Sequence, residues 1–355
     1  MNNKHWLPWL VAIGFLLLYL YTAAPSLVTF FDDTLEFQFV GPTFGIAHPT
    51  GYPLYLILSG LWSRLLFPFG NWAWRMNLFS ALAGAVALGL LTACAQRLTR
   101  GAMPRLHWAP ALAAALVYGL APLWWQQTTV AEVYALHGCF VAALLAVAVR
   151  LLDDEPPAPV GLWSTQGLTI ILCLLFGLGL AHHRTTLLLA PVIGLTLIWS
   201  VPAWWRPAPI WGQWALALLA PLLLYLWLPL RATMGVHDLH GSYVNSWVGF
   251  WDHVLARQYT LFLGENPLAV VRSAQDWWQL WLAQTSALGM ALGLAGLAQL
   301  VIPRQRLRKG WRPGPPGRRA DRCSAAQSLA AVAADGDCLC TPLSCLAGPG
   351  GERSW

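Results

Sequence analysis

The sequence predicts an all-α integral membrane protein with about eight transmembrane helices. Of its 355 residues, 57% are hydrophobic and only 10% are charged, and apolar runs of membrane-spanning length recur along the chain. The chain also contains 22 Trp residues, many of them near the ends of these runs. Soluble domains carry about a quarter charged residues, a bilayer requires about 20 apolar residues per helix, and aromatic residues favour membrane interfaces. An ordinary soluble domain is therefore excluded.

One apolar run is shorter than the others and differs in character. The run 53–68 contains Arg64 and two serines, which predicts a helix at the membrane interface that follows the first outer loop. Pro53 suits the first turn of that helix. The predicted spans are 6–24, 74–95, 108–125, 129–149, 163–181, 185–201, 213–230 and 279–302.

Basic residues in the short loops predict the orientation of the chain. If the N-terminus is cytoplasmic, most Lys and Arg of the short loops lie inside, as the positive-inside rule requires. A membrane domain then covers residues 1–302, with a first outer loop at 25–73 and a long outer loop at 231–278. Because the chain lacks an obvious endoplasmic reticulum signal, we expect a multi-pass protein of a bacterial plasma membrane with its active face outside.

This topology gathers ionisable residues from five distant segments at the outer face, and they are the candidate site residues. Three are candidate catalytic carboxylates, namely Asp32, Asp33 and Glu36. Six are candidate substrate-binding residues, namely His48, Glu132, His182, His183, Arg184 and Arg231.

Each of these residues has a functional and a structural interpretation, and both stay open. Asp32 and Glu36 share one helix face and could act as a general base, whereas Asp33 followed by Glu36 also fits a helix cap. Glu132, predicted about one turn into a span, is a functional candidate by default, but it could also form a structural hydrogen bond. Arg184 and Arg231 suit phosphate binding or ordinary lipid headgroups.

Histidine and cysteine spacings predict no metal site and no cofactor. The pairs His182–His183 and His237/His240 supply no set of three or four ligands at a recognisable spacing. The His48–Pro49 step indicates an extended loop, which could form the wall of a cleft or only connect two helices. Residues 1–303 are almost neutral, since nine of the 21 Lys and Arg and four of the 15 Asp and Glu follow them. Nucleic acid is therefore not an expected partner.

The segment 303–355 differs from the rest of the chain. It is basic, rich in Gly, Pro, Ala and Cys, and has no lasting helical or strand period. Two interpretations remain: a disordered cytoplasmic tail whose basic start binds anionic lipid, or translation in a shifted reading frame, which we favour. The second interpretation predicts a C-terminally truncated protein.

Several stretches between about 10 and 300 resemble a multispan membrane family, domain of unknown function 2723. They are "DDTLEF", "GIAHPTGYPLY", "PFGNWAWRMNLFSAL", "TTVAEVYALH", "GLGLAHHRTTLLLAP", "YLWLPLRA" and "WVGFWDHVLARQY". The chain departs from the family pattern at Thr50, where Pro is usual, and at Arg184, where an apolar residue more often follows the histidine.

The resemblance implies a GT-C-like fold and a branch of the multispan glycosyltransferases related to protein O-mannosyltransferases. It implies Asp32 as the leading acidic residue with Glu36 as its partner, a polyprenyl-phosphate sugar as donor and no need for metal. The expected partners are membrane lipid, that donor and a protein or glycan hydroxyl acceptor. A lipid-carrier transporter or flippase and an inactive truncated membrane protein are the alternatives.

Overall fold

The computed structural model describes residues 5–29, 32–153, 155, 157–201, 208–260 and 270–301. This part of the chain is helical, and β structure in it is limited to one isolated bridge, between Ala158 and Ser164. The predicted tail 303–355 lies outside the described residues, so its interpretation remains a prediction. The α-helices are α1 (Leu7–Thr22), α2 (Asp32–Val40), α3 (Pro53–Leu65), α4 (Trp72–Arg100), α5 (Trp108–Gly119), α6 (Pro122–Thr129), α7 (Val133–Leu152), α8 (Thr165–His182), α9 (Ala190–Ser200), α10 (Ala208–Leu219), α11 (Trp227–Thr233), α12 (Trp247–Val254) and α13 (Ala274–Val301).

Each of the eight predicted spans is largely helical in the structure, but fewer are long enough to cross a bilayer alone. Five helical segments have the required length and composition, and a sixth results if α5 and α6 are counted as one span bent by 68°. Pro122 lies in the first turn of α6, and the missing N–H of proline explains why the helix breaks there. The remaining two, α1 and the segment Arg184–Ser200, are apolar but shorter. The chain is a multi-pass helical membrane protein.

The predicted interfacial helix forms as α3, which ends three residues earlier than predicted. Pro53 lies in its first turn, as predicted. Arg75 of α4 holds the end of α3, because its guanidinium donates hydrogen bonds to the carbonyls of Ser63, Phe69 and Gly70. The bond to Ser63 satisfies a carbonyl group in the last turn of α3, which a helix end otherwise leaves without a partner, and the other two bonds hold the loop that follows.

Helix α4 is the centre of the helical unit and packs against α1, α5 and α7. Its N-terminal part carries the buried polar residues Asn77 and Ser80. Asn77 donates to the carbonyl of Ala24 and accepts a hydrogen bond from Gln38 of α2. Ser80 is bonded to the backbone of Glu132. Helix α4 thereby positions both α2 and the segment before α7, which carry the acidic residues of the candidate site.

Candidate active site

The acidic residues of α2 converge on one histidine of the following loop. Glu36 is 3% exposed, and its Oε1 accepts a hydrogen bond of 2.8 Å from the backbone N–H of His48. Its Oε2 is bonded to Nδ1 of the same imidazole. The other ring nitrogen, Nε2, lies 3.8 Å from Oδ2 of Asp33, whose side chain is 47% exposed. Glu36 thus fixes the histidine ring and directs its free nitrogen towards an accessible carboxylate.

This geometry differs from the predicted pairing of carboxylates. The prediction places Asp32 with Glu36 on one face and gives Asp33 the option of a helix cap. Helix α2 begins at Asp32, so Asp33 lies inside the first turn and is not the cap. Asp33 and Glu36, three residues apart, share a face. Asp32 begins the helix, and its side chain lies outside the described residues.

The loop that contains His48 makes a tight turn directly before α3. Gly51 has a φ of 87°, which favours glycine, and a Cβ there would contact Leu228 and His253. The imidazole of His253 in turn contacts the carbonyl of Ala47 through Nε2, at 3.0 Å. The long outer loop therefore packs on the first outer loop and holds the His48 segment in place.

Glu132 lies behind the Asp33–His48 pair, and its position corrects the prediction. It is the extended residue that precedes α7 and not a residue one turn inside the span. Its Oε1 accepts a 2.5 Å hydrogen bond from the hydroxyl of Thr34, whereas its buried Oε2 has no hydrogen-bond partner among the described residues. Burial raises the pKa of Glu132 to about 7; the Thr34 bond acts against this shift and the charge of Asp33 adds to it.

The charge of these carboxylates also acts on His48. Burial alone would lower the pKa of its imidazole, but the hydrogen bond and charge of Glu36, together with Asp33 and Glu132, more than offset that effect. The net result is a raised pKa. The cation is favoured because an opposite charge lies close to it.

A second group of polar residues lies on the other side of Tyr52. The Tyr52 ring contacts the imidazoles of His48, at 5.2 Å between centroids, and of His183, at 5.9 Å. His183 is bonded through Nδ1 to the hydroxyl of Thr185, at 2.7 Å. Burial lowers its pKa to about 4, with further contributions from the neighbouring His137 and Arg184. His183 is therefore neutral at physiological pH.

Arg184 is exposed beside this group and is available to an anion. Among the described residues its guanidinium has no hydrogen bond or ion pair. Burial raises the pKa of the Tyr52 phenol, the charge of Asp33 adds to this shift, and the charge of Arg184 opposes it. Tyr52 therefore lies within electrostatic range of a carboxylate and of a guanidinium.

The remaining two candidates are engaged in contacts within the protein. His182 is fully buried, and its Nε2 contacts the carbonyl of Val133 at 3.0 Å, so it joins α8 to α7. Arg231 donates from Nε to the carbonyl of Phe44 at 2.6 Å and lies over the ring of Trp227. Its position holds α11 against the first outer loop.

The sequence did not single out several residues that complete the site. Tyr52 connects the two polar groups, Thr34 and Ser80 hold Glu132, and His253 anchors the loop before His48. His240, noted only as part of a weak metal pattern, approaches Glu36 with 4.0 Å between Nε2 and Oε2. No spacing rule connects these residues, because the fold brings them together from different loops.

The fold and the site define a multi-pass helical membrane protein with clustered carboxylates and an exposed arginine, Arg184, that has no hydrogen bond or ion pair in the described part of the chain. The model of the Protein O-mannosyl-transferase TMEM260 N-terminal domain matches residues 33–205. The chain is 32% identical over 219 residues to Protein O-mannosyl-transferase TMEM260 of Mus musculus, a match that covers 61% of this chain and 29% of the mouse protein. It is 24% identical over 315 residues to Protein O-mannosyl-transferase tmem260 of Dictyostelium discoideum, with 82% and 36% covered.

This chain spans about a third of the length of these two relatives. Among solved structures, the chain is similar to ArnT from Cupriavidus metallidurans bound to undecaprenyl phosphate. That similarity has a TM-score of 0.44 at 15% identity and covers 81% of this chain and 59% of ArnT. A TM-score below 0.5 does not establish a shared fold.

Proposed function

We propose that the chain is a GT-C-type membrane glycosyltransferase that transfers a mannose-like sugar from a polyprenyl phosphate to a protein or glycan hydroxyl. One observation carries the proposal: the Tyr52 ring lies between His48, whose Nε2 is 3.8 Å from the accessible carboxylate of Asp33, and His183, which directly precedes the exposed Arg184. The relatives named protein O-mannosyl-transferase support the type of reaction. Loop charge supports a cytoplasmic N-terminus with the site on the outer face of the membrane, which we propose is a plasma membrane.

The reaction requires a base beside the acceptor hydroxyl and a cation beside the donor phosphate. A carboxylate accepts the proton of the acceptor hydroxyl as its oxygen attacks the anomeric carbon. The bond from that carbon to the phosphate oxygen breaks, and the phosphate leaves with its lipid and both bonding electrons. A guanidinium stabilises the negative charge on the departing phosphate. A single displacement of this kind inverts the anomeric centre.

The structure favours Asp33 over the other described carboxylates as the base. Glu36 is almost completely buried and accepts two bonds from His48, so we assign it the positioning of that imidazole. Asp33 is half-exposed, and within the described residues its carboxylate is engaged by the 3.8 Å approach of His48 alone. Arg184 is the corresponding choice for the phosphate, because the guanidinium of Arg231 already donates to the carbonyls of Phe44 and Thr43 and to the sulfur of Met234.

The proposal is tested with purified chain in liposomes, a radiolabelled mannosyl polyprenyl phosphate and Ser/Thr-containing acceptor peptides. We expect Asp33→Asn to reduce transfer at least 100-fold, the scale of a lost general base. The control is Asp252→Asn, which removes an exposed outer-loop carboxylate and should leave transfer within about twofold of wild type. Arg184→Gln should reduce transfer at least tenfold, with partial recovery in Arg184→Lys.

Two results would contradict this assignment. Unchanged transfer by the Asp33 variant would exclude Asp33 as the base. Movement of a labelled lipid carrier between leaflets, in the absence of acceptor and with no sugar transferred, would instead favour the transporter alternative.

A further inference from the structure

Three side chains form a hydrogen-bonded triad just after helix α8. His183 caps the helical segment that follows, Arg184–Leu189. The hydroxyl of Thr185 in that segment lies 2.7 Å from Nδ1 of His183 and 3.0 Å from Nε2 of His137 in α7. The two imidazole rings are 4.8 Å apart between centroids. The triad His137–Thr185–His183 has no part in the proposed reaction as described so far.

The backbone fixes the direction of each hydrogen bond in the triad. The backbone N–H of Thr185 lies 3.3 Å from Nδ1 of His183, and an N–H can only donate. Nδ1 therefore carries a lone pair and no proton. The Thr185 hydroxyl also donates to Nδ1, because two lone pairs would otherwise face each other at 2.7 Å. The hydroxyl oxygen then accepts a hydrogen bond from His137, whose Nε2 carries the proton.

These directions leave His183 with one protonation state. A neutral imidazole whose Nδ1 accepts carries its proton on Nε2. The neutral form agrees with the pKa of about 4 that burial gives His183. In the described part of the chain, the Nε2–H group has no hydrogen-bond acceptor. His183 thus offers a neutral donor to a ligand, and Thr185 fixes its tautomer.

The surroundings of His183 indicate which ligand suits this donor. Its ring contacts the rings of Tyr52, at 5.9 Å between centroids, and of Tyr134, at 5.7 Å. Tyr134 is 45% exposed. Aromatic rings pack against the apolar C–H face of a sugar ring, and the sugar hydroxyl oxygens accept hydrogen bonds. A phosphate would instead favour the charged guanidinium of Arg184, the next residue in the chain.

We infer that His183 binds one hydroxyl group of the donor sugar through its Nε2–H, and that Thr185 and His137 are positioning residues that hold this tautomer. The inference rests on the proposed function and specifies how its site would recognise the sugar. Asp33 then serves the acceptor, Arg184 the phosphate and His183 the sugar. The sequence offers no signal for the triad, because the fold brings His137 of α7 to Thr185 across two helices.

The first test measures the affinity of the full chain for donors by competition in detergent micelles. A radiolabelled mannosyl polyprenyl phosphate competes with unlabelled analogues that each lack one sugar hydroxyl. We expect one analogue to bind wild type about tenfold more weakly than the complete donor, because it leaves the Nε2–H without a partner. In His183→Ala, that analogue and the complete donor should bind within about twofold of each other. His237→Ala, which changes an exposed histidine of the long outer loop, is the control and should keep the wild-type pattern.

The second test measures the tautomer of His183 by NMR of the full chain with isotopically labelled histidine. The His183 signal is assigned by its loss in His183→Ala. Thr185→Val removes the hydroxyl with little change in shape and should mix the two tautomers and weaken the discrimination between donors. Thr185→Ser keeps the hydroxyl and should retain both the Nε2–H tautomer and the discrimination.

Two results would overturn the inference. One is an Nδ1–H tautomer or an imidazolium at His183 at neutral pH. The other is equal affinity of wild type for the complete donor and every analogue, even if sugar transfer occurs. Discrimination that depends on His183, with no sugar transferred to any acceptor, would contradict the proposed function and leave the sugar-binding role of His183 supported.

Discussion

Helix α4 has 29 residues and α13, which is kinked at Ser286 (φ 61°), has 28, and both are apolar enough to cross a membrane. Their surroundings are opposite. In the most apolar window of α4, 61% of the residues are buried inside the protein, compared with 6% for the corresponding window of the C-terminal span. Hydrophobic length therefore identifies both helices as spans but does not show which of them organises the protein.

The polar side chains account for the difference between the two helices. Helix α4 directs Arg75, Asn77 and Ser80 into hydrogen bonds with α3, α2 and the segment before α7. Helix α13 has one such long-range bond in the described structure, from Leu123 N–H to Gln284. In lipid, apolar surfaces gain little by leaving their surroundings, so polar contacts and small residues decide which helices pack together.

The largest effect should come from removing a polar anchor of α4. Asn77→Leu eliminates the bonds to Ala24 and Gln38 and leaves buried polar groups without partners. We expect a loss of about 3 kcal/mol in the free energy of unfolding, measured by equilibrium denaturation in mixed micelles. The matched change in α13, Gln284→Leu, removes one exposed bond and should cost less than about 1 kcal/mol. Equal losses would show that both helices depend on polar anchors to the same degree.

The elements that could be predicted from the sequence follow from strong local signals. Long apolar runs indicated the positions of the spans, and Pro53 indicated the start of α3. The prediction also placed Asp33, Glu36 and His48 in one loop region, and the structure brings them together. The connection after α2 is short, so His48 must lie close to that helix.

Other parts of the site depend on tertiary structure and had no local signal. Glu132 was predicted inside a helix because the apolar run includes it. The break after α6 instead places it in an extended connector, where Ser80 and Thr34 bind it. His182 and His183 are adjacent in sequence, yet one is buried against Val133 and the other lies beside Tyr52. Which neighbour enters the site depends on where α8 ends.

A smaller effect should follow from changing the space at two glycines. A Cβ at Gly84 of α4 would overlap the side chain of Thr128 in α6, whereas one at Gly293 of α13 has no atom within 4 Å. Gly84→Ala should therefore cost about 2 kcal/mol through overpacking. Gly293→Ala should be neutral or stabilising by up to about 1 kcal/mol, because alanine favours the helix. Both are measured as shifts in denaturation midpoint, and a destabilising Gly293→Ala would indicate an unrecognised contact on α13.

The smallest effect is the pH dependence of stability that Glu132 confers next to α4. Its pKa is about 7 in the folded protein, above the ordinary value of 4.5. The folded protein therefore binds the proton of Glu132 more tightly than the unfolded chain does. The resulting contribution of Glu132 to the free energy of unfolding is complete below about pH 4.5 and is lost as the pH rises through about 7. We expect the apparent melting temperature of wild type to fall by roughly 2–4 °C between pH 5.5 and 8, a shift that about 1 kcal/mol produces.

Glu132→Gln should flatten this slope, because glutamine keeps an oxygen for Thr34 and does not ionise. The slope is the informative quantity, since the substitution also changes stability at every pH. Asp276→Asn on the exposed first turn of α13 should retain the wild-type slope, because hydrogen bonds from Ser273 lower the pKa of Asp276 and the carboxylate stays ionised between pH 5.5 and 8. The opposite result is that Glu132→Gln keeps the full slope and Asp276→Asn removes it. The titrating group would then lie on α13, and the buried surroundings of α4 would not be the cause of the pH dependence.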